Sequence, residues 1–218
     1  MTTVYLVDDE APVRDALAFL LGSRGLDVRT FESGPALLDA LPQPGSASAS
    51  ASASASSSGH APKRAVRGVF VLDVRMPQMS GLQLHEALIE RGLRNPVLFL
   101  SGHGDIPMVV EALKKGAFDF LEKPYSDNTL VDRIAQALAV EAASVADNAA
   151  AVERQARLAS LSEREREVMQ RVAAGKLNKV IADELHIAIR TVEVHRARVF
   201  AKVGVKSAAE LAGWLAAG

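Results

Sequence analysis

Cysteine is missing from the chain altogether, so disulfides, thiolate metal sites and cysteine nucleophiles are excluded. No apolar run approaches the roughly 18 residues that a membrane span needs. The opening residues, Met1 to Glu10, meet acid too early for a secretory signal. The expected home is therefore the cytoplasm, with no membrane partner. A large excess of charge of either sign is absent too, the net charge being −1 over 218 residues. That balance is uneven along the chain. Residues 1–125 hold 12 Lys+Arg and 14 Asp+Glu, and residues 126–159 hold 3 and 5. Residues 160–218 hold 10 and 7, a net +3 that hints weakly at a polyanion partner.

What is present is an ordinary globular composition, 49% apolar and 23% charged, in a chain long enough for one large or two small domains. Its clearest stretch is Val69-Phe70-Val71-Leu72-Asp73, a short β-branched and aromatic run that reads as a buried strand. It stops on a carboxylate and enters the loop Val74 to Gly81. An Asp at the carboxyl end of a buried parallel strand sits where open α/β sheets place ligands, although Asp73 alone could simply start a turn.

The same pattern repeats around it. Val4 to Val7 is a strand ending on Asp8-Asp9-Glu10, followed by a helix over 13–24 with Leu17, Leu20 and Leu21 at helical spacing. Strands are predicted over 28–31, 96–100 and 118–121, and helices over 34–41, 82–91 and 108–115. Alternation of this kind predicts a parallel sheet covered on both faces. Residues 43–62 interrupt it with a Ser/Ala low-complexity tract that reads as a disordered insertion. Polar residues recur at the carboxyl ends of the strands: Asp8, Asp9, Asp73, Ser101 and Lys123.

Gathered carboxylates repel one another unless a cation joins them. Mg²⁺ suits such a cluster because it prefers oxygen ligands, keeps waters and accepts phosphate. A carboxylate can also be the nucleophile toward a phosphoryl group. Lys123 and the Ser101 hydroxyl would then neutralise and hydrogen-bond the transferred oxygens. Each residue has a plainer use: Lys123 as surface lysine, Ser101 as turn former, Asp8 and Asp9 as helix caps.

Residues 1–125 resemble a receiver domain of two-component response regulators. The resemblance is carried by Val7-Asp8-Asp9-Glu10, by Leu72-Asp73-Val74-Arg75-Met76-Pro77-Gln78-Met79-Ser80-Gly81, by Ser101, and by Glu122-Lys123-Pro124-Tyr125. It implies a five-stranded, doubly wound, flavodoxin-like fold. It also implies that Asp73 accepts a phosphoryl group from a sensor histidine kinase. Asp9 would bind Mg²⁺ directly, Asp8 through water, and Arg75 through its backbone carbonyl. Ser101 and Phe120 would be the switch pair, and the Lys123-Pro124 bond would be cis. Gln78 replaces the Gly or Asp common in that loop, without expected consequence, and His103 stands where the lifetime of the phosphate is tuned.

A closing helix is predicted over 126–139, with Leu130, Ile134, Ala137 and Leu138 buried. An Ala-rich helical linker follows over 140–158. The last domain, 159–218, opens on a capping box, Ser162 to Glu165. Its helices are predicted to end at Gly175, to span 178–185 (Val180, Ile181 and Leu185 inward) and 189–203, and to begin again with a second box, Ser207 to Glu210. Short helix, tight turn and longer helix make a helix-turn-helix.

On the third of these helices, roughly 100° per residue turns Val192, Val199 and Val203 inward. It turns Arg190, Val194, Ala197 and Ala201 outward, with Glu193 and Arg198 at the shoulders. Small residues framed by charges suit the major groove. Lys176, Lys179, Thr191, Arg196 and Lys202 suit phosphates, and Asn178 at the start of the second helix joins them. The same pattern also suits a solvated helix of a small bundle. The segments Leu161 to Val168, Ala174 to Ala182 and Thr191 to Val199 are similar to the LuxR/NarL-type helix-turn-helix. Ala188 stands where that family uses Ser. The whole chain resembles a FixJ-type transcriptional response regulator. The resemblance implies a phosphorylation-dependent regulator that dimerises, binds double-stranded promoter DNA and acts with RNA polymerase. It implies no enzyme beyond the receiver's own Mg²⁺-dependent phosphorylation and dephosphorylation. Two rivals remain: an aspartate-nucleophile phosphohydrolase, although Arg75 occupies the position of its second Asp, and a relay whose last domain binds protein.

Overall fold

The computed structural model describes residues 2–42, 66–102 and 106–216. They fall into two compact units, residues 1–143 and 144–218. The expected disordered insertion and the phosphate-tuning role of His103 lie outside the described residues.

The first unit alternates β1 (Thr3–Val7), α1 (Ala11–Ser23), β2 (Asp27–Phe31), α2 (Gly34–Ala40), β3 (Gly68–Asp73), α3 (Gly81–Glu90), β4 (Val97–Ser101), α4 (Ile106–Lys114) and β5 (Asp119–Glu122). The helix α5 (Asp127–Ala159) follows. The five strands are parallel and ordered β2-β1-β3-β4-β5. That is the flavodoxin-like order, whose topological switch lies between β1 and β3.

Strand side chains alternate between two apolar layers, as a period of two requires. Tyr5, Val7, Phe70, Leu72 and Phe99 pack with Leu37 of α2 and Leu84 and Leu88 of α3. Val4, Leu6, Val69, Val71, Leu98 and Leu100 pack with Leu17 and Leu21 of α1 and with Leu130, Ile134 and Ala137 of α5. β1, β3 and β4 are buried on both faces, which is why they read as unbroken apolar runs.

The second unit holds α6 (Glu163–Ala173), α7 (Asn178–Leu185), α8 (Ile189–Val203) and α9 (Ala208–Ala216) around one apolar cluster. Both halves of the Ser162/Glu165 capping box form. The second box forms by half: Ser207 Oγ accepts from Glu210 N at 3.1 Å, but the Glu210 carboxylate turns to Lys206 N at 2.8 Å. On α7 the inward residues are Ile181, Ala182 and Leu185, while Val180 is 43% exposed, a correction to the expected stripe. Val192, Val199 and Val203 are buried as the 3.6-residue period requires.

The closing helix runs on into the Ala-rich segment that was expected to continue as a helical linker. Residues 127–159 form one uninterrupted helix of 33 residues, with Leu130, Ile134, Ala137 and Glu141 buried. Nothing in its sequence breaks it, since Ala-rich segments without Gly or Pro continue a helix once one is started. Among the described residues no helix is long and apolar enough to cross a membrane.

Candidate functional site

The carboxyl ends of β1, β3, β4 and β5 meet at one rim. Three hydrophobic strands deliver Asp8, Asp73 and Ser101 there, 1%, 7% and 1% exposed. Lys123 arrives from the end of β5 and places Nζ 2.6 Å from Asp73 Oδ1 and 3.4 Å from Asp8 Oδ2. Its backbone is fixed as well, because Lys123 N donates to Ser101 O at 2.7 Å and the Lys123-Pro124 bond is cis as expected. The other oxygen of Asp73, Oδ2, accepts from Arg75 N at 2.7 Å. Asp8 Oδ1 accepts from Glu10 N at 2.9 Å, and Arg14 Nη1 donates to the Asp8 carbonyl at 2.7 Å.

The loop after β3 is held against Asp73 by Gly81. Its N–H donates to Val74 O at 3.0 Å, and a Cβ added there would lie 2.2 Å from the Asp73 carbonyl oxygen. Only glycine allows that approach. Ser80 and Gln83 then start α3 with a full capping box. Gln78 sits at φ +66°. A left-handed conformation is unfavourable for a residue with a Cβ, so this position carries strain that the sequence reading did not anticipate.

Electrostatics follow from burial and pairing. Burial pushes the Asp73 carboxyl above its ordinary range, and the nearby Asp8 charge adds to this. The Lys123 ammonium and the Arg75 amide pull the other way without cancelling it. Burial disfavours the Lys123 charge, but the hydrogen bond and charge of Asp73, with Asp8, hold its pKa above the lysine value. Asp8, Asp9 and Asp73 bring three carboxylates to the rim, beside the Lys123 ammonium. A divalent cation with oxygen ligands suits that donor set. Among the described residues no three acids stand close enough to chelate as they are. Asp9 is exposed and lines an open hollow with Arg75, Met76, Pro77, Ser80 and Met108.

Ser101 Oγ lies 3.4 Å from the Leu121 carbonyl of β5, to which it donates, and Phe120 is half-buried against the apolar layer between the sheet and α2 to α4. Two residues were missed in the sequence. Arg14 pins the Asp8 backbone, and Tyr125 lies near enough for its phenol to feel Lys123, Asp8 and Asp73, with burial raising its pKa. Arg14 stands four residues past Glu10 in the first turn of α1, a spacing that could have pointed back to the end of β1.

In the second unit, α8 presents Arg190, Glu193, Val194, Ala197, Arg198 and Ala201 to solvent as expected, and Thr191 is half-buried. Lys179 is exposed. Lys176 pairs with Glu184, which also holds Arg171 at 2.9 Å. Arg196 Nη1 donates to Asn178 Oδ1 at 3.0 Å, with its guanidinium over the Phe200 ring. Lys202, expected to suit phosphates, has internal partners. Its Nζ lies 2.6 Å from Glu165 Oε2 and 2.9 Å from Ser160 O, inside the unit. That bond is also the main reason the Glu165 carboxyl is held below its usual range. Ala188 begins α8 with no side-chain cap, and its carbonyl accepts from Thr191 N and Val192 N instead.

Comparison with known proteins agrees with both halves. Residues 4–135 match the response regulator receiver domain, and residues 159–215 match the luxR family of bacterial regulatory proteins. The chain is 44% identical to the transcriptional regulatory protein TdiR of Thauera aromatica, over 96% of this chain and 83% of that one. It is 42% identical to the transcriptional regulatory protein FixJ of Rhizobium meliloti (strain 1021), over 99% and 96%. Among solved structures, the response regulator StyR superposes with a TM-score of 0.81 at 36% identity, covering 100% of this chain and 99% of that one. With a receiver fold at one end and a LuxR-type helix-turn-helix at the other, the chain belongs to the response regulators of two-component systems and is a DNA-binding transcriptional regulator.

Proposed function

We propose that Asp73 is the phosphoacceptor and that its phosphorylation by a sensor histidine kinase controls promoter binding. The observation that supports this best is the holding of one buried carboxylate from both sides, by Lys123 on Oδ1 and by the Arg75 amide on Oδ2. The backbone thereby fixes the nucleophile for in-line attack, which is most of what phosphoryl transfer asks of a protein. An Asp73 oxygen forms the new P–O bond as the P–N bond to the donor imidazole breaks, and the imidazole keeps the electron pair.

Lys123 stabilises charge on the transferred oxygens and Ser101 turns from the Leu121 carbonyl to donate to one of them. Phe120 moves into the space the hydroxyl leaves. Asp8, Asp9, Asp73 and the Arg75 carbonyl would hold Mg²⁺, which when bound supplies positive charge beside the phosphoryl group. The receiver catalyses only the gain and loss of its own phosphate. Negative charge gained at Asp73 favours a homodimer, and two helix-turn-helix units then read paired half-sites on duplex DNA. Lys176, Asn178, Lys179, Thr191 and Arg196 face phosphates, while Arg190, Glu193, Val194, Ala197 and Arg198 face base edges. The dimer would work in the cytoplasm with RNA polymerase.

Incubation with acetyl phosphate and Mg²⁺, followed by intact-mass measurement, tests the acceptor. Wild type gains one phosphoryl group and Asp73→Asn gains none. Phosphate on the Asn protein would move the acceptor elsewhere. Promoter affinity equal with and without phosphate would break the coupling.

A further inference from the structure

α5 contributes to both apolar clusters, through Leu130, Ile134 and Ala137 at one end and Leu158 at the other. Within the second unit its last turns do more than connect. Arg157 Nη1 donates to the Val203 carbonyl at 2.6 Å, while Nη2 is held by Glu153 Oε1 at 2.7 Å. Val203 is the last residue of α8, so this guanidinium sits on an orphan carbonyl at the negative end of that helix. Gly204 ends α8 at φ +81°, and a Cβ there would lie 2.7 Å from Arg157 Nη1. The glycine therefore both closes the helix and leaves room for the arginine.

Lys202, one residue earlier than Val203, makes two more bonds, to Ser160 O and to Glu165 Oε2. The same Glu165 Oε2 accepts from Ser162 N at 2.9 Å in the capping box of α6. Glu165 is 3% exposed, so this carboxylate depends on those donors for its charge. Arg154 lies over the Trp214 ring of α9, 5.3 Å from its centroid, which fixes the same stretch of α5 from another side. Three hydrogen bonds thus tie the carboxyl end of α8 to the junction of α5 and α6.

We infer that Arg157, seconded by Lys202, is a positioning residue for DNA recognition: it sets the lie of the recognition helix without touching DNA. This rests on the reading that α8 enters the groove. A helix anchored at one end presents its base-facing side chains in one pose, and base readout needs that pose whereas phosphate attraction does not.

The test uses the full-length protein and two duplexes: one selected from a random pool by the wild-type protein, and a scrambled version of it. Arg157→Met keeps the aliphatic stem and loses the donors. It should lose roughly tenfold of the preference for the selected duplex, the size of one charge-assisted hydrogen bond. Affinity for the scrambled duplex and the slope of log affinity against log salt should not change. Arg157→Lys should recover part of the preference. Should Arg157→Met prove unfolded by circular dichroism, Lys202→Met carries the same expectation.

An unchanged preference in either folded variant overturns the inference. So does an equal loss on both duplexes, which would make the residue merely structural. A salt slope reduced by about one would make it a phosphate contact, and would overturn the inference too. Arg190→Ala separates the two readings. If it alone reduces the preference, α8 reads DNA and the clamp is wrong; if neither variant does, the reading of α8 itself falls.

Discussion

The two ends of this chain solve opposite problems with charge. At the receiver rim, charges are taken out of water: Asp8 is 1% exposed and Asp73 is 7% exposed, and backbone amides together with Lys123 replace the lost solvent. On α8 of the second unit, charges stay in water, and its exposed side is built from small residues and arginines. A buried, pre-organised carboxylate is useful for one reaction at one atom. An exposed face is useful for a long polyanion whose counterions must be displaced. The difference predicts that single substitutions at the rim should be nearly all-or-none, and those on α8 graded.

Lys123→Met should break that contrast most sharply. Loss of the Lys123 ammonium from Asp73 removes charge stabilisation from the transferred oxygens, and rates of phosphorylation by acetyl phosphate should fall about 10²–10³-fold. Nonspecific DNA affinity of the unphosphorylated protein should stay the same. A rate within threefold of wild type would mean that the rim is less organised than its geometry indicates.

On the other side of the comparison, Arg190→Ala should cost about 1–3 kcal/mol on a selected duplex and relax the preference at one base position. Lys179→Ala should instead weaken all duplexes alike and lower the salt slope by about one. Titration by fluorescence anisotropy at several salt concentrations separates the two. Equal behaviour of Arg190 and Lys179 would remove the distinction between groove and backbone faces.

Acid should weaken the receiver through a group unrelated to its chemistry. His85 of α3 is 4% exposed, with its ring edge-on to Phe99, and burial lowers its pKa below the ordinary 6.5. A lowered folded-state pKa gives stability that is present above the unfolded value and lost as pH falls through the folded one. Unfolding midpoints of the receiver should therefore decline below about pH 6.5, and His85→Phe should flatten that decline. An identical decline in the variant would assign it to carboxylates instead.

How much of this was legible depends on the kind of signal. Strands buried on two faces announce themselves, and Asp73 and Ser101 were found because each ends such a run, while Lys123 follows the shorter, half-buried β5. Capping boxes are local, and Ser162/Glu165 formed as read, although Ser80/Gln83 carries the same signal and was passed over. Contacts distant in sequence were not legible. Nothing in the stretch around Lys202 says that it will find Glu165, 37 residues away. Nor does the Ala-rich stretch say that Arg157 will cap α8 or that Glu141 will be buried against Arg67 at 2.6 Å. Periodicity reports which face is inward; it does not name the partner. The run-on of the closing helix past residue 139 was legible because it too is local: Ala-rich sequence without Gly or Pro supplies no helix stop.

The smallest effect belongs to the loop that follows Asp73. Gln78 holds φ +66° there, which costs a residue with a Cβ roughly 1–2 kcal/mol. Glycine removes that cost but gives the unfolded chain more freedom, an offset of roughly 0.5–1 kcal/mol. Gln78→Gly should therefore stabilise the receiver by less than about 1 kcal/mol, read as a rise in the urea midpoint at constant slope. The phosphorylation rate should hardly change, because Asp73 is fixed by the Arg75 amide, Lys123 and Gly81 rather than by Gln78. A marked change in rate would show that the strained turn itself holds Arg75 in place, and the rim would then owe its order to the loop as much as to the sheet.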